Sequence, residues 1–498
     1  MRQRLSTLFC LLSVVVLGTA ATQAQQRDPD TTFKFNLSTP GARSLGLGGA
    51  FLALADDATA AYSNPAGLTN LTVGGSEVAV EVRHNQFANS FVDRGHFSAV
   101  NGVEPVATNI GVDFEDHLGL NRSEAQSQTT DLSFLSFGYV LPRGLTLALY
   151  RHRLADFHTA FETQGPFVDL ACDGRTDSSS NGLCIARYLP RKSSSSLDIV
   201  NYGLSGAFEL KLPALGRLES AISFGVGVSY YDFTLSSFNQ FYDLDRFSEV
   251  SGRQVGEFYG PPDYTDGNLK FDSLEEGQGD AFAANVGFLW KLGRQQRWSI
   301  GGVFRQGATF DTGRDLRTCS PQGGTDEGQV DPRSPIVCDF DTALRAGKFT
   351  IPDTFGLGFA FRSAEGKTKI ALDLNRVRYS QRLIDFTFGL DPASGLKARD
   401  FRIEDADQIH LGVERVVLVV ESLFVGTARF GAWREPFHEL EYSGGDEATA
   451  ALIRRAKDAE IHYSAGFGLV IKEDYQLDFA ADLADGANTY SFSLVKFF

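Results

Sequence analysis

Apolar and polar residues alternate with a period of two from Ser76 onward. In the first such run, Val78 and Val80 share one face and Glu77 and Glu81 share the other. This alternation predicts a β-strand whose two faces have different surroundings. Further runs of the same kind lie near residues 93–101, 107–115, 129–140, 143–153, 197–211, 218–235, 280–292, 296–310, 353–363, 367–382, 406–418, 423–434, 459–472, 475–484 and 489–498. The pattern therefore predicts an all-β chain of about 16 strands, with an error of about two.

Two further features favour a membrane barrel over a soluble secreted or periplasmic protein. Strands with one apolar and one polar face suit a wall between lipid and a wet lumen. The composition also fits, because 51 glycines and 41 phenylalanines occur with a single methionine, and aromatic residues are enriched at membrane interfaces. No apolar stretch of about 18 residues follows the first 24 residues, so no transmembrane helix is predicted. Since a sheet in lipid must close to satisfy its backbone groups, we expect one antiparallel barrel.

The connections between the predicted strands are of two kinds. Short polar connections lie at 141–144, 292–294 and 472–474. Long connections lie at 155–195, 235–280, 311–350, 383–405 and 435–458. Outer-membrane barrels have short turns on the periplasmic side and long loops outside. The sequence therefore predicts a protein of the bacterial outer membrane, in contact with membrane lipid and lipopolysaccharide.

The last predicted strand ends at Phe498. Tyr490, Phe492 and Leu494 lie on the same face as this residue, and Lys496 interrupts that face. A lysine near the interface can extend its amine to water, which limits the cost. A terminal phenylalanine on such a strand resembles the signal that outer-membrane barrels present to their assembly machinery. We therefore expect that machinery as a partner of Phe498.

The first 24 residues have the pattern of a secretory signal peptide. Arg2 and Arg4 precede an apolar run, and small residues follow up to Ala24. This order of charged, apolar and small residues is typical of a cleaved signal. We therefore assign residues 1–24 to a signal peptide that is absent from the mature protein.

Residues 25–71 form a segment rich in small residues and turn signals. Two successive aspartates are typical of the cap of a short helix, and Asn followed by Pro is typical of the start of another. The glycines allow close backbone packing or positive φ. We predict that this segment is a plug inside a barrel formed by residues 72–498. Its distinctive residues are Gly41, Gly46, Gly48, Gly49, Asp56, Asp57, Asn64, Pro65, Ala66 and Gly67.

The run from Gly46 to Leu68 resembles the periplasmic hatch of the FadL-type outer-membrane transporters of hydrophobic compounds. Asn64-Pro65-Ala66 matches the NPA motif of that family residue for residue. Residues 351–356 and 367–373 are similar to a late hairpin of the same family. The resemblance implies 14 strands, a gating role for the hatch residues, and passive import of hydrophobic small molecules such as long-chain fatty acids or aromatic hydrocarbons. Similar barrels also serve as scaffold or shuttle components in protein secretion, which is the alternative function.

Four cysteines follow the signal peptide, in two local pairs: Cys172 with Cys184, and Cys319 with Cys338. Local pairs in a secreted protein favour two disulfide bonds, each within one long connection. A metal site is the alternative, but no CxxC motif and no nearby pair of histidines supports it. We therefore expect no metal ion.

The sequence also excludes several function classes. The net charge of −16 argues against a nucleic-acid partner, because nucleic-acid binding needs a basic surface. No GxSxG and no HExxH motif occurs, and no other pattern pairs a nucleophile with a base. We therefore predict a protein that is not an enzyme and uses no cofactor.

Polar residues of the late strands are candidate ligand contacts in the lumen. They are Arg376, Arg378, His410, Glu414 and Arg429. Near Asn375 the polar residues change from odd to even positions, which a β-bulge would explain. The two arginines that follow either meet a carboxylate in the lumen or are solvated beyond the membrane, and solvation is favoured. The other three are favoured as lumen lining over ligand binding.

The long connections contain several phenylalanines: Phe233, Phe238, Phe241, Phe247 and Phe258. Apolar residues in exposed acidic loops suit the capture of a hydrophobic molecule. A small apolar core that packs the loops together is an equally good explanation.

Overall fold

The computed structural model describes residues 37, 39–71, 75–95, 120–142, 144–165, 167–171, 183–187, 190–215, 218–242, 249–250, 253–254, 264, 269–321, 336–340, 345–387, 396–420, 423–445, 453 and 459–498. Within them the chain forms a closed antiparallel barrel of 14 strands. The predicted signal peptide lies outside the described residues. The predicted fold class is therefore confirmed.

The barrel strands are β1 Ser76–Gly95, β2 Leu120–Val140, β3 Thr146–Thr163, β4 Arg191–Leu215, β5 Leu218–Tyr242, β6 Leu269–Leu292, β7 Trp298–Arg305 continued by Ala308–Pro321, β8 Arg345–Ile351 continued by Thr354–Arg362, β9 Thr368–Val377, β10 Ala406–Val420, β11 Phe424–Glu435, β12 Glu460–Ile471, β13 Tyr475–Leu483 and β14 Ala487–Phe497. Each strand pairs with the next in antiparallel orientation. Pairing of β14 with β1 closes the barrel.

The helices of the described chain are short. They are α1 Ala42–Leu45, α2 Ala60–Ser63 and α3 Leu383–Thr387, with 3₁₀-helices at Pro65–Asn70, Arg294–Gln296, Tyr379–Arg382 and Ala398–Asp400. Within the described ranges, none of them has the length and apolar character needed to cross a membrane. Small strand pairs outside the barrel join Phe167–Ala171 to Leu183–Arg187, Glu249–Val250 to Arg253–Gln254, and Phe401–Arg402 to Glu441–Tyr442. A further short strand, Ile336–Phe340, pairs in antiparallel orientation with the end of β7.

The alternation seen in the sequence separates the two faces of the wall. In β1, Glu81 and Arg83 point inward and are buried, whereas Val82 points outward and is exposed. Outward residues of other strands are apolar and more exposed, as at Leu149 (58%) and Val226 (61%). Exposed apolar side chains in a continuous belt suit lipid contact rather than water. The polar face therefore lines the lumen.

The two ends of the barrel differ in their connections. Tight turns at 141–145, 293–297, 363–367 and 472–474 share one end with the ends of the sheet at Ser76 and Phe498, and we call this the turn end. The strand ends that bound longer connections, such as Val377 with Ala406 and Glu435 with Glu460, lie at the opposite end, which we call the loop end. This asymmetry is the one that the sequence predicts for an outer-membrane barrel.

The described parts of three connections predicted to be long (155–195, 235–280 and 311–350) are largely strand, so the predicted bounds of these connections were wrong. β3 continues to Thr163, and β4 and β5 pair without interruption through most of 191–242. Pairing persists beyond the apolar belt because inward polar residues bond across the strands there. Ser193 donates to Asn239 at 2.7 Å, and Ser195 lies 2.8 Å from Ser237.

The strand count also differs from the 16 runs of the sequence. β1 continues to Gly95, so the run at 93–101 begins as the end of that strand. The run at 107–115 lies outside the described residues. The other 14 runs correspond to the 14 observed strands.

The carboxyl-terminal strand has the predicted facing. Phe498 is 71% exposed, and its amide donates to the Ser76 carbonyl at 2.9 Å. Lys496 extends along the outer surface to the turn end, where its amine lies 3.9 Å from Asp474 and 4.2 Å from the centre of the Tyr475 ring. The lysine therefore reaches polar partners at the edge of the apolar belt.

The described residues leave the predicted disulfide bonds untested. Cys319 in β7 lies directly opposite Cys338 in the backbone register. Cys172 and the side chains of the other three cysteines lie outside the described residues. Both bonds therefore stay predictions.

Candidate functional site

Residues 39–71 fill the barrel near its turn end and are almost all buried. The segment leaves α1 through Gly48 (φ 63°) and Gly49 (φ 78°). Positive φ is accessible to glycine without a steric penalty, so these two residues allow the sharp change of direction. We call residues 39–71 the plug.

The NPA motif fastens the plug to itself and to the barrel wall. Asn64 Oδ1 accepts a hydrogen bond from the Ala66 amide at 3.2 Å and so caps the 3₁₀-helix that starts at Pro65. Asn64 Nδ2 donates to the Leu52 carbonyl in the plug at 2.9 Å and to the Phe288 carbonyl in β6 at 3.0 Å. Because Asn64 is fully buried, these bonds satisfy groups that water does not reach.

The two neighbouring aspartates of the plug share Arg43 as a neighbour but differ in their hydrogen bonds. Asp57 Oδ1 accepts a hydrogen bond from the Thr59 amide at 2.9 Å, just before α2. Burial raises the pKa of the Asp57 carboxyl. Asp56 forms an ion pair with Arg43 and lies 3.7 Å from the Lys369 amine of β9. Burial alone raises the pKa of Asp56, but the attraction of both cations outweighs it and holds the pKa below its ordinary value.

A buried charge network extends from this pair into four strands. Arg43 Nε lies 3.0 Å from Glu414 Oε2 of β10, and Lys369 Nζ lies 2.9 Å from Glu414 Oε1. Arg429 of β11 donates through Nε to Glu414 at 2.7 Å and through Nη1 to Asp478 of β13 at 2.6 Å. Asp57 Oδ2 also lies 3.7 Å from Arg43 Nη1, so three cations face four carboxylates, two of them from the plug. Since an unpaired buried charge is strongly unfavourable, the network fixes the plug against this side of the wall.

Other wall residues hold the plug by its backbone. Asp373 of β9 accepts hydrogen bonds from two successive plug amides, those of Phe51 at 2.7 Å and Leu52 at 2.9 Å. On another side, Arg305 of β7 donates through Nε to the backbone carbonyl of Tyr62 at 3.1 Å. Its guanidinium carbon lies 4.8 Å from the centre of the Tyr62 ring. The plug is therefore bound from several directions.

Glycines of the wall allow the plug to approach closely. We call this set the glycine belt: Gly138, Gly225, Gly287, Gly301, Gly356, Gly358, Gly412, Gly431 and Gly466. A Cβ at Gly287 would lie 2.2 Å from Asn64 Oδ1, and one at Gly431 would lie 2.2 Å from the Gly48 amide nitrogen. Both distances are far inside van der Waals contact, so the plug fits only because these side chains are absent.

On the loop-end side of the plug, the barrel encloses a cavity of about 130 Å³. Packed inward-facing side chains from β3 to β8 form an apolar cluster beside it, which we call the apolar wall: Leu154, Phe157, Leu197, Ile199, Tyr231, Phe233, Leu235, Phe310, Phe349 and Ile351. Phe233 stacks on Phe310 with ring centres 4.4 Å apart and planes 8° apart. An apolar inner face is unusual for a barrel that carries water.

The opposite side of the cavity is polar and aromatic. His410 of β10, Trp433 of β11 and His462 of β12 form a stack with ring centres 5.1 and 3.8 Å apart. Asp482 of β13 also lines the cavity and lies 2.8 Å from His462 Nδ1. Of the apolar wall, Leu154 lines the cavity itself. The cavity thus contacts both apolar and polar side chains, a combination that suits a molecule with both characters.

The candidate lumen contacts divide into two groups. His410, Glu414 and Arg429 point inward, but all three are engaged with the plug or its charge network. His410 Nδ1 lies 2.7 Å from the Gly48 carbonyl, and only His410 of the three also lines the cavity.

Arg376 and Arg378 are exposed outside the lumen. Arg376 pairs with Asp405 and Asp407, each at 3.1 Å, and Arg378 pairs with Asp353 at 3.3 Å. The proposed β-bulge does not exist, because the register of β9 with both neighbours runs without a shift. The outward face simply becomes polar where the strand leaves the apolar belt, as the solvated alternative requires.

The five phenylalanines of the predicted loops also have different environments. Phe233 belongs to the apolar wall inside the barrel, not to a loop. Phe238 and Phe241 lie in β5 and are half-buried. Phe247 and Phe258 lie outside the described residues.

Sequence reasoning missed Leu154. The register of β3 with β4 shifts between Arg153 and Ala155, so a bulge at Leu154 turns this side chain into the cavity. The signal was present in the sequence, because Leu154 and Ala155 are two successive apolar residues in an alternating strand. Asp373 was missed as well, although it is an acidic residue on the inward face of an apolar strand.

Comparisons with known proteins support the fold. No protein-family model and no curated protein matches the sequence. The structure is similar to that of a Pseudomonas aeruginosa FadL homologue, with 10% identity, a TM-score of 0.51, and coverage of 93% of this chain and 99% of that chain. The P. putida toluene transporter TodX (12% identity, TM-score 0.47, coverage 93% and 99%) and the Ralstonia pickettii toluene transporter TbuX (12%, 0.43, 93% and 98%) match less well. The chain is therefore a 14-stranded β-barrel with the fold of a FadL homologue.

Proposed function

We propose that this protein is an outer-membrane channel through which hydrophobic small molecules, such as long-chain fatty acids or aromatic hydrocarbons, diffuse passively. The apolar wall beside the cavity supports this proposal most directly. Apolar side chains inside a barrel give a greasy solute a favourable environment that a water-filled pore lacks. The hatch motif and the fold of a FadL homologue support the same function.

The plug serves as the hatch of this channel. It occupies the barrel on the turn-end side of the cavity, so a solute in the cavity meets it before leaving through that end. Hydrogen bonds and ion pairs with the wall hold the plug in this position. A shift of the plug that breaks part of them opens a path for the solute. The residues expected to control this shift are Asn64, the Arg43–Asp56 pair and the glycine belt.

Uptake by whole cells tests the proposal. Labelled oleate and labelled toluene are offered separately to a host that lacks its own transporters and expresses this protein. We expect uptake of at least one. Leu154→Gln introduces an amide at the cavity and removes a leucine-sized contact worth about 1.5 kcal/mol, which corresponds to roughly tenfold slower uptake. His158→Gln, an outward and exposed position on the same strand, is the matched control and leaves uptake unchanged.

Insertion of each variant is checked by the heat-modifiable mobility of the folded barrel. Absence of uptake of both solutes by correctly inserted protein contradicts the channel. In that case, purification of the barrel with a bound polypeptide would support the scaffold function instead. Equal uptake by wild type and Leu154→Gln would place the path elsewhere in the barrel.

A further inference from the structure

Two glutamates face each other near the loop end of the barrel. Glu435 at the end of β11 and Glu460 at the start of β12 are direct partners in the strand register. Like charges at opposite positions of neighbouring strands repel and destabilise the pairing. A cation bound beside the two carboxylates would relieve this repulsion.

A buried histidine lies beside this pair on the same face. His462 is 4% exposed, and its Nδ1 lies 2.8 Å from Asp482 Oδ2. An ionised carboxylate only accepts hydrogen bonds, so Asp482 fixes a proton on Nδ1, and whenever the ring is neutral its lone pair is on Nε2. His462 Nε2 has no hydrogen-bond partner and lies 3.8 Å from Glu435 Oε2.

The three groups can supply ligand atoms to one ion. One atom each from Glu435, Glu460 and His462 lie within 4.8 Å of one another. Ligand atoms around one zinc ion lie roughly 3–4 Å apart, given metal–ligand bonds of about 2.0–2.2 Å. Small side-chain rotations therefore bring the three atoms to bonding distance.

Groups around the cluster orient the ligands. The Gly486 amide, in the turn between β13 and β14, donates to Glu460 Oε1 at 2.5 Å. Trp433 stacks on the His462 ring at 3.8 Å and donates through Nε1 to Asp482 at 3.3 Å. A carboxylate on the far nitrogen of a histidine is the usual outer partner of a metal-bound imidazole.

We propose that Glu435, Glu460 and His462 bind a divalent transition-metal ion of the zinc class. One nitrogen and two carboxylate ligands suit such an ion and leave further coordination positions for water. Glu435 and His462 also line the cavity, so the ion is reachable from the lumen. It would neutralise the glutamate pair and tie β11 and β12 to the turn between β13 and β14 at the mouth of the barrel. The sequence predicted no metal site, because the ligands come from two separate strands.

The competing arrangement has no metal. A protonated His462 would donate to Asp482 and pair with Glu435, and the imidazolium itself would be the compensating cation. The two arrangements differ in one measurable property, because only the first binds added metal ions stoichiometrically.

The experiment uses the full chain, purified in detergent and stripped with a chelator. Zn²⁺ is titrated calorimetrically, and Co²⁺ is added to a second sample to record its visible absorption. We expect one ion per chain and Co²⁺ bands typical of nitrogen and oxygen ligands. His462→Ala and Glu435→Gln should weaken binding at least tenfold, and Asp482→Asn should weaken it by about 10- to 100-fold. His158→Ala removes an exposed histidine of β3 and should bind as wild type does.

Folding of every variant is checked by heat-modifiable mobility, and Glu460→Gln replaces any variant that fails to fold. Absence of saturable binding by wild type overturns the proposal in favour of the imidazolium. Equal binding by wild type and the cluster variants overturns it as well, because the ion then binds elsewhere.

Discussion

Replacing Asn64 with alanine removes three hydrogen bonds from the centre of the plug. One caps a 3₁₀-helix through Ala66, and two hold the carbonyls of Leu52 and Phe288. A helix cap alone is worth about 1 kcal/mol, which is the loss that the sequence predicts. Each of the two further bonds adds about 1 kcal/mol, because it leaves an acceptor without its partner. We therefore expect the docked plug to lose about 3 kcal/mol.

Asn64→Asp separates the two roles of this side chain. Aspartate caps a helix as well as asparagine does, but its second oxygen cannot donate to the carbonyls of Leu52 and Phe288. Repulsion between that oxygen and the two carbonyls is expected to make Asn64→Asp at least as harmful as Asn64→Ala. If Asn64 acted only as a helix cap, Asn64→Asp would leave the stability of the docked plug unchanged.

Hydrogen exchange measured by mass spectrometry gives the opening free energy of the plug separately from that of the barrel. A loss of about 3 kcal/mol corresponds to roughly a hundredfold faster exchange in peptides from 42–71. Peptides from β3 and β14 serve as internal controls and should not change. Wild-type exchange in Asn64→Asp would refute the anchoring role, and failure of the barrel to fold would make the plug a folding element instead of a gate.

Two further predictions concern the contact between plug and wall. Gly287→Ala places a Cβ 2.2 Å from Asn64 Oδ1 and should accelerate hydrogen exchange of the plug peptides. Gly279→Ala on the same strand is the control, because its Cβ meets the nearest atom at 3.7 Å and should leave exchange unchanged. Similar exchange rates in the two variants would exclude the steric explanation. Because the pKa of Asp56 in the folded protein lies below its ordinary value of 3.8, its ion pairs stabilise the plug above that pH, and this stabilisation is lost as the pH falls below it. Exchange corrected for its intrinsic rate should therefore show plug opening increase as the pH falls below 3.8, and Asp56→Asn should remove this step. An unchanged step would assign it to another carboxyl group.

The sequence was sufficient for the architecture because a barrel strand has a period of two and lipid demands a clean apolar face. It also located the plug, since the small residues and the NPA motif are local signals. The lengths of β3, β4 and β5 were not predictable in the same way. Their outer parts are held by serines and asparagines such as Ser193 and Asn239, which are typical of loops when the partner strand is unknown.

The candidate site was predictable only residue by residue. Alternation shows that Glu414 and Arg429 face inward, but not that Arg43 lies between them and the plug carboxylates. Arg43 and Glu414 are 371 positions apart, and only the closed register of the sheet brings them together. The cluster of Glu435 and His462 was not predictable from the sequence for the same reason. Arg376 illustrates a different difficulty. A polar residue that follows an apolar strand lies either in the lumen or in solvent, and the sequence does not show where the strand leaves the membrane.

The glycine belt has a consequence for how the protein tolerates change over evolution. At Gly287 and Gly431 the wall meets the plug with less than the space of one methyl group. These positions therefore require glycine because it has no side chain, and no other residue type shares that property. Each belt position is also a point at which a single added methyl group acts as a wedge on one side of the plug. A series of such substitutions around the ring would tilt the plug in known directions and so reveal which side opens first.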